Sequence, residues 1–470
     1  MIQMRIALAL VGGLLLTGCA SASYVKVKET TTPGPCVADA PARDFLFGVA
    51  LSGGGSRAAL FAEASLEALA GLRTADGGSA INKITNISSV SGGSLSASYY
   101  TLKKPGRDVP VLNADGSLSA AYRAFFDQYR TDLSQDFETA LIWRQLLSFR
   151  WLNSSLAART LAEILESKLY GEATLGDLGA REQAGDAPGL IVNTTLYNNG
   201  RRLALTGLPS EAFDYDFFTE LERNLQRQGR AMELTPLIRQ RWKLLRPMTP
   251  LDLETDPCKI RVATAATASA SFAPFIGPTT VRIGDEEAYW HIGDGGLYEN
   301  SGIESLLFFY LKQLQVKRAK RALIIAFDSS FPFSVGEKQL LRRSLPFSLR
   351  TFDFTRIPSI MEERAITYQA LFFRTLQLEG VFPDTKTLEA ILIRHTDAKW
   401  AADMSDLPQS CKAEPQPLKT PEEVTNRIEA IPTVLGLKSE CDRDLLYVAA
   451  QKLVAEHKDQ ILEYLNRPDQ

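Results

Sequence analysis

Apolar residues in this chain gather in short blocks, and glycine or serine turns separate them from stretches of helical period. Phe45–Leu51 is an apolar run of strand length, and Ser52 to Ser56 is a glycine turn. Over 58–72, Leu60, Ala64 and the Glu67-Ala68 pair recur at the helix period, with Gly71 placed to end it. The pattern then repeats: 84–90 predicts a strand, Ser91-Gly92-Gly93 a sharp turn, and 94–102 a helix. Strand, turn and helix twice in succession imply parallel strands with crossover helices. Further on, 190–196 and 202–206 flank Asn198-Asn199-Gly200, a hairpin signal. The segment 259–265 reads as another strand, and 281–283 and 288–292 read as a second hairpin around 284–287. Arg321–Asp328 is apolar throughout its middle, as a strand buried on both faces would be. Helical insertions are predicted near 118–170, 209–245 and 336–380, and 442–465 reads as one long amphipathic helix. The sum is one large α/β/α domain with helical insertions.

The N-terminus changes this picture. An apolar run over 6–16 follows a single positive charge, too short to span a bilayer and of signal-peptide length. It ends in Leu16-Thr17-Gly18-Cys19, which resembles the lipobox of bacterial lipoproteins. That resemblance implies cleavage before Cys19, acylation of Cys19, and, with Ala20 next, sorting to the outer membrane, in its periplasmic or surface leaflet. The alternative is a plain secretory signal cleaved near Ala20 to Ser23. From Cys19 to Arg43 the chain is poor in apolar residues and contains Thr30-Thr31-Thr32-Pro33-Gly34-Pro35, the composition of a tether.

Bulk composition excludes more than it assigns. The chain has 470 residues, 45% hydrophobic and 23% charged, with a formal net charge of -3. No basic tract stands out, which argues against a nucleic-acid partner. With Cys19 set aside, Cys36, Cys258, Cys411 and Cys441 remain, an even number for an oxidising compartment. Three pairings are open; Cys411 with Cys441 closes the shortest loop and leaves Cys36 for Cys258. No CxxC spacing occurs, and only His291, His395 and His457 could offer imidazole, so neither a metal nor a cofactor is expected.

Three stretches carry chemistry. Gly53-Gly54-Gly55 follows a strand and opens a helix, where backbone N–H groups can converge on one anion. Its spacing fits neither a dinucleotide fingerprint nor a P-loop, and it could also be a structural tight turn; Arg57 could hold a phosphate or lock the loop to a carboxylate. Ser91 sits where a strand gives way to a helix, the place of a nucleophile elbow, with Gly93 two residues after it but Ser89 where that motif carries glycine. Ser89 and Ser94 are alternative nucleophiles, and a merely polar turn is the bland reading. Asp294, before Gly295 and Gly296, leaves a strand end with little cover and could accept a serine proton if partly desolvated. His291 lies three residues away on an extended segment and faces the other side, whereas His457 would match the chain order of a hydrolase triad.

Taken together, the glycine loop with Arg57, the serine turn and Asp294-Gly295-Gly296 resemble the patatin-like phospholipases, over about residues 45 to 330. The resemblance also touches Asn193-Thr194-Thr195, Ala270 to Pro274 and Ala326 to Ser330. It implies a three-layer α/β/α domain with a mostly parallel central sheet. The boundaries that follow are a signal peptide over 1–18, a tether over 19–44, a catalytic core over 45–335, and a mainly helical extension over 336–470 packed on that core. It implies further that Ser91 is a nucleophile, Asp294 its base in a dyad, and Gly53, Gly54 and Gly55 an oxyanion hole, supported by Arg57, Gly93, Gly295 and Gly296. The implied activity is hydrolysis of membrane phospholipid or another acyl lipid, without a metal. The rivals are a lipid-binding or scaffold lipoprotein on the same fold, and an esterase or thioesterase for soluble esters. Finally, 340–370 alternates Arg342, Arg343, Arg350 and Arg356 with Leu341, Leu345, Phe347, Phe352 and Phe354. Such a stretch suits a lipid surface or a cover over the core.

Overall fold

A central sheet of eight strands organises the protein in this computed structural model, which describes residues 33–37, 42–150, 156–230, 236–272, 276–283, 288–330, 364, 365, 367–375 and 387–467. The strands are β1 (Phe45–Leu51), β2 (Asn86–Val90), β3 (Gly189–Leu196), β4 (Arg201–Thr206), β5 (Thr279–Ile283), β6 (Ala288–Asp294), β7 (Arg321–Asp328) and β8 (Leu388–Arg394). Their order is β5-β6-β3-β2-β1-β7-β8, with β4 also on β3. The pairs from β3 through β2, β1 and β7 to β8 are parallel, and β4, β6 and β5 run antiparallel to their neighbours.

The apolar runs of β1 and β7 are explained by burial on both faces. Phe47, Val49 and Leu51 point into one cluster, with Leu323, Ile325 and Phe327 beside them. Leu46 and Ala50, with Ala322, Ile324 and Ala326, point into the other. Period-two alternation therefore divides two apolar faces here, not an apolar from a polar one.

The helices used below are α1 (Gly55–Ala70), α2 (Gly92–Lys103), α3 (Ala120–Leu133), α4 (Phe137–Leu147), α5 (Leu156–Leu165), α6 (Leu175–Ala184), α7 (Val262–Ser269), α8 (Ile303–Gln315), α9 (Glu440–Glu456) and α10 (Lys458–Leu465). Of these, α8 packs on the second face, and the others contribute to the cluster on the first. Helix α1 is buried along nearly its whole length, between the sheet, α2 and α9. Its many alanines let neighbours approach from every side, and Ala is also the best helix former.

Three local expectations are corrected. The segment 259–265 is not a strand: a 3-10 turn (Pro257–Lys259) leads into α7, whose Ala263, Ala265 and Ala266 are fully buried. A short apolar run does not distinguish a buried strand from a buried helix by periodicity. The predicted helix over 442–465 is broken at His457, whose backbone N–H and ring Nδ1 both lie against Leu453 O, at 3.1 and 2.9 Å. Last, the sheet continues past residue 335, because β8 pairs with β7.

Disulfides join Cys36 to Cys258 and Cys411 to Cys441, with Cα separations of 5.3 and 4.6 Å. The first ties residue 36 to the turn before α7, and the second fixes the start of α9. Cys19, the signal segment, most of the tether, Ala273 to Pro274, the turn 284–287 and most of 340–370, including Phe352 and Phe354, lie outside the described residues. Among the described residues no helix is long and apolar enough to cross a membrane.

Candidate active site

The site arises where two strands meet head-on. β2 runs parallel to β3 as far as Val90 opposite Asn193, and β6 runs antiparallel to β3 as far as Asp294 opposite Thr194. β4 covers the other edge of β3 along the same residues, so β2 and β6 share one edge and approach each other along it. Their C-terminal ends are thus neighbours. Ser91, which follows β2, donates its hydroxyl to Asp294 Oδ2 at 2.8 Å, although 203 positions separate the two in sequence.

Ser91 takes φ 48° and ψ -119°, a conformation that non-glycine residues avoid and that a fold must hold in place. Its N–H donates to Ser269 Oγ at 2.8 Å, and its carbonyl accepts from Ser94 N–H at 2.8 Å, inside the first turn of α2. Ser269 in turn donates to Asn193 O at 2.6 Å. Asn193 is fixed by donating to Ser89 O at 3.0 Å and accepting from Ser305 Oγ at 2.5 Å. The elbow glycines are needed for clearance: a Cβ on Gly92 would fall 2.0 Å from Gly55 O, and one on Gly93 2.5 Å from Leu51 O. Ser89, in the place of the usual glycine, is accommodated because its buried hydroxyl accepts from Ser94 Oγ at 3.0 Å. Ser89 and Ser94 are both inaccessible, while Ser91 is half-buried.

Asp294 is buried and has no cationic partner among the described residues. Burial raises its pKa from 3.8 to about 7, against the lowering effect of Gly296 N–H, which donates to Oδ1 at 2.8 Å, and of the Ser91 hydroxyl. The carboxylate is thereby made basic without a third group. Gly295 is required by the same crossing of chains, since its Cβ would lie 2.4 Å from Asn193 O.

The glycine loop lies directly against the serine; a Cβ on Gly53 would sit 3.1 Å from Ser91 Cβ. Its three N–H groups are not equivalent. Gly53 N–H already donates to Asn300 O at 3.0 Å and is not available to a ligand. Gly54 (φ 139°) and Gly55 (φ 62°) have backbones that favour glycine, and their N–H groups take no partner among the described residues. Arg57, buried, donates to Ser329 O, Ser330 O and Ile431 O at 3.0, 2.9 and 2.5 Å, and so ties the loop to the end of β7 and to the C-terminal part of the chain.

None of the three histidines bonds to Ser91 or Asp294. His291 is exposed and bonds Thr280 Oγ1 through Nδ1 at 2.9 Å. His395 is buried, its pKa pushed down to about 3 by burial and then by the Arg57 charge. His457 bonds within its own helix. Sequence reasoning missed Ser269, Asn300 and the Val434 carbonyl that accepts Ser56 N–H at 2.7 Å. Nothing in their local sequence marks them. Among the described residues no group of three His, Cys, Asp or Glu could hold a metal ion.

A family model described as "Patatin-like phospholipase" matches residues 49–307, which contain the glycine loop, Ser91 and Asp294. No curated protein matches the chain. Among solved structures, human GIVD cytosolic phospholipase A2 is similar at 14% identity and a TM-score of 0.45, over 89% of this chain and 60% of that one. The same human protein in complex with methyl gamma-linolenyl fluorophosphonate matches at 16% identity and a TM-score of 0.40, over 90% and 59%. VipD from Legionella pneumophila matches at 13% identity and a TM-score of 0.28, over 93% and 73%. This chain therefore spans less than two thirds of the human protein's length.

Proposed function

The chain belongs to the patatin-like phospholipase family, and from that premise we propose that it is a membrane-anchored serine hydrolase that cleaves acyl esters of membrane lipids through a Ser91–Asp294 dyad. One observation carries this reading: the hydroxyl of a strained, half-buried serine donates at 2.8 Å to a carboxylate that burial has made basic. In the proposed mechanism Asp294 takes the Ser91 proton as Oγ attacks the ester carbonyl carbon. The N–H groups of Gly54 and Gly55 hold the oxyanion that forms. As the tetrahedral intermediate collapses, the C–O bond to the leaving alcohol breaks, and Asp294 returns its proton to that oxygen. Water, deprotonated by the same carboxylate, then attacks the acyl-serine; the fatty acid leaves and Ser91 regains its proton. A scaffold would have no use for a nucleophile held at this cost in backbone strain.

A long-chain fluorophosphonate, which phosphonylates a nucleophilic serine, tests the assignment directly. The purified protein is expected to be labelled at Ser91, and Ser91→Ala to take no label. His291→Ala and His457→Ala, both away from the dyad, should retain labelling and ester hydrolysis within about threefold, whereas the loss of a true general base costs about 10²-fold or more. Labelling at another residue, or a large loss in His457→Ala, would overturn the dyad.

The lipobox-like Leu16 to Cys19 supports a second part of the proposal: an N-terminus acylated on Cys19 that holds the protein at the bacterial outer membrane. Mass spectrometry of the membrane fraction should find the mature chain starting at acylated Cys19, and Cys19→Ser should leave it unprocessed or released. A mature N-terminus beyond Cys19 would refute this part and leave the dyad untouched.

A further inference from the structure

Helix α4 departs from the arrangement expected of a surface helix. Its inner face buries Phe137 and Leu141 in the core, yet its outer face carries Ile142, Trp143, Leu146 and Leu147, which are 51, 59, 45 and 77% exposed. Phe149 follows, 72% exposed, with φ 55°. A bulky side chain seldom takes that left-handed conformation, which glycine usually supplies at a helix end. Single exposed apolar residues need no explanation, but a contiguous patch on one helix does.

Two further observations bear on its role. First, the patch has a cationic rim: Arg144, Arg150 and Arg159 all lie on Glu163, at 3.2, 2.8 and 3.1 Å, so three positive charges share one negative. Second, α4 and the glycine loop are held by the same short segment. Phe137 and Glu138 N–H donate to Leu435 O at 2.9 and 3.1 Å, and the preceding Val434 O accepts Ser56 N–H at 2.7 Å. The patch is thus tied to the wall of the active site.

We propose that the outer face of α4 is the surface through which the protein enters an anionic lipid bilayer. Trp143, Leu147 and Phe149 insert among the acyl chains, and the arginines lie against headgroup phosphates. Exposed aromatic and aliphatic side chains with excess arginine beside them are the chemistry of an interfacial helix. The inference rests on the acyl-lipid reading above, since it supplies the lipid that the dyad would cut.

The test uses the full chain and vesicles of phosphatidylethanolamine and phosphatidylglycerol with brominated acyl chains, which quench tryptophan only at contact. Quenching should be strong in the wild type and fall by most of its amplitude in Trp143→Phe, whatever the catalytic activity. Equal quenching in both would overturn the proposal. In a second arm, the triple change Trp143→Ser, Leu147→Ser and Phe149→Ser should slow hydrolysis of vesicle lipid by about tenfold or more and leave a short-chain soluble ester within about twofold. Equal losses on both substrates would also overturn it, as would capture of a protein partner by α4 with no quenching by lipid. If neither substrate is cleaved at all, the hydrolase reading fails, while the quenching arm still decides this one.

Discussion

Ser91→Ala and Asp294→Asn are each expected to lower kcat/KM by about four orders of magnitude or more, with the fold intact, as removal of one member of a nucleophile–base unit does. The size of the effect follows from the absence of a substitute. Ser89 and Ser94 are fully buried, and no histidine bonds either member of the dyad. The fold survives because Ser91 is held through its backbone, by Ser269 and the first turn of α2, and not through its hydroxyl. Asn at position 294 keeps the shape and can still accept Gly296 N–H at its amide oxygen. Steady-state kinetics beside circular dichroism checks both statements.

The same carboxylate is expected to set the pH dependence. As the proposed base, Asp294 must be ionised to act, so activity should rise about tenfold per pH unit below about 7 and level off above it. Stability should run the other way. Burial places the folded pKa above the ordinary 3.8, so between pH 4 and 7 the folded chain holds a proton that the unfolded chain releases. Stability therefore falls as pH rises through that window. Asn does not titrate, so the stability of Asp294→Asn relative to wild type should increase from pH 4 to 7, by about 2–4 kcal/mol, and stay constant beyond. A variant that loses activity and gains stability at pH 8 is the signature of a buried base; one that loses both would place Asp294 in a structural role.

How far the sequence reveals this site depends on the range of the interactions. Strand, turn and helix around Ser91 are legible because each rests on local chemistry: an apolar run, then glycines at a sharp turn. The glycines at 92, 93 and 295 signal close crossings of the chain, but not which chain crosses. Only the fold shows that these are Gly55, Leu51 and Asn193. The head-on meeting of β2 and β6 depends on which edge of β3 each strand takes, and no periodicity encodes that. Arg57 is legible as a charge near the loop, but its partners include backbone carbonyls at 329, 330 and 431, which carry no residue signature. Ser269 is one polar residue at the end of a helix that alternation alone reads as a strand.

Gly54→Ala and Gly55→Ala should each reduce kcat by about 10²–10³-fold, the effect of losing one oxyanion donor. A Cβ on Gly54 would lie 2.3 Å from Ser329 O, and one on Gly55 2.4 Å from Val434 O; both contacts are to backbone, so the loop itself must shift. The positive φ of each residue adds strain for alanine. Some stability is lost as well, so the comparison needs a variant with a similar clash elsewhere. Gly176→Ala, in α6, supplies it: its Cβ would lie 2.8 Å from Cys258 O, and Ser91 and Asp294 are not among the atoms it would meet. If the loop holds the oxyanion, Gly54→Ala and Gly55→Ala lower kcat and kcat/KM together, because the interaction exists only when charge develops on the carbonyl oxygen. Gly176→Ala should lower the unfolding midpoint and leave kcat per folded molecule unchanged. Should all three variants lose stability alike and kcat hardly at all, the glycine loop is a structural turn and the oxyanion must be held elsewhere.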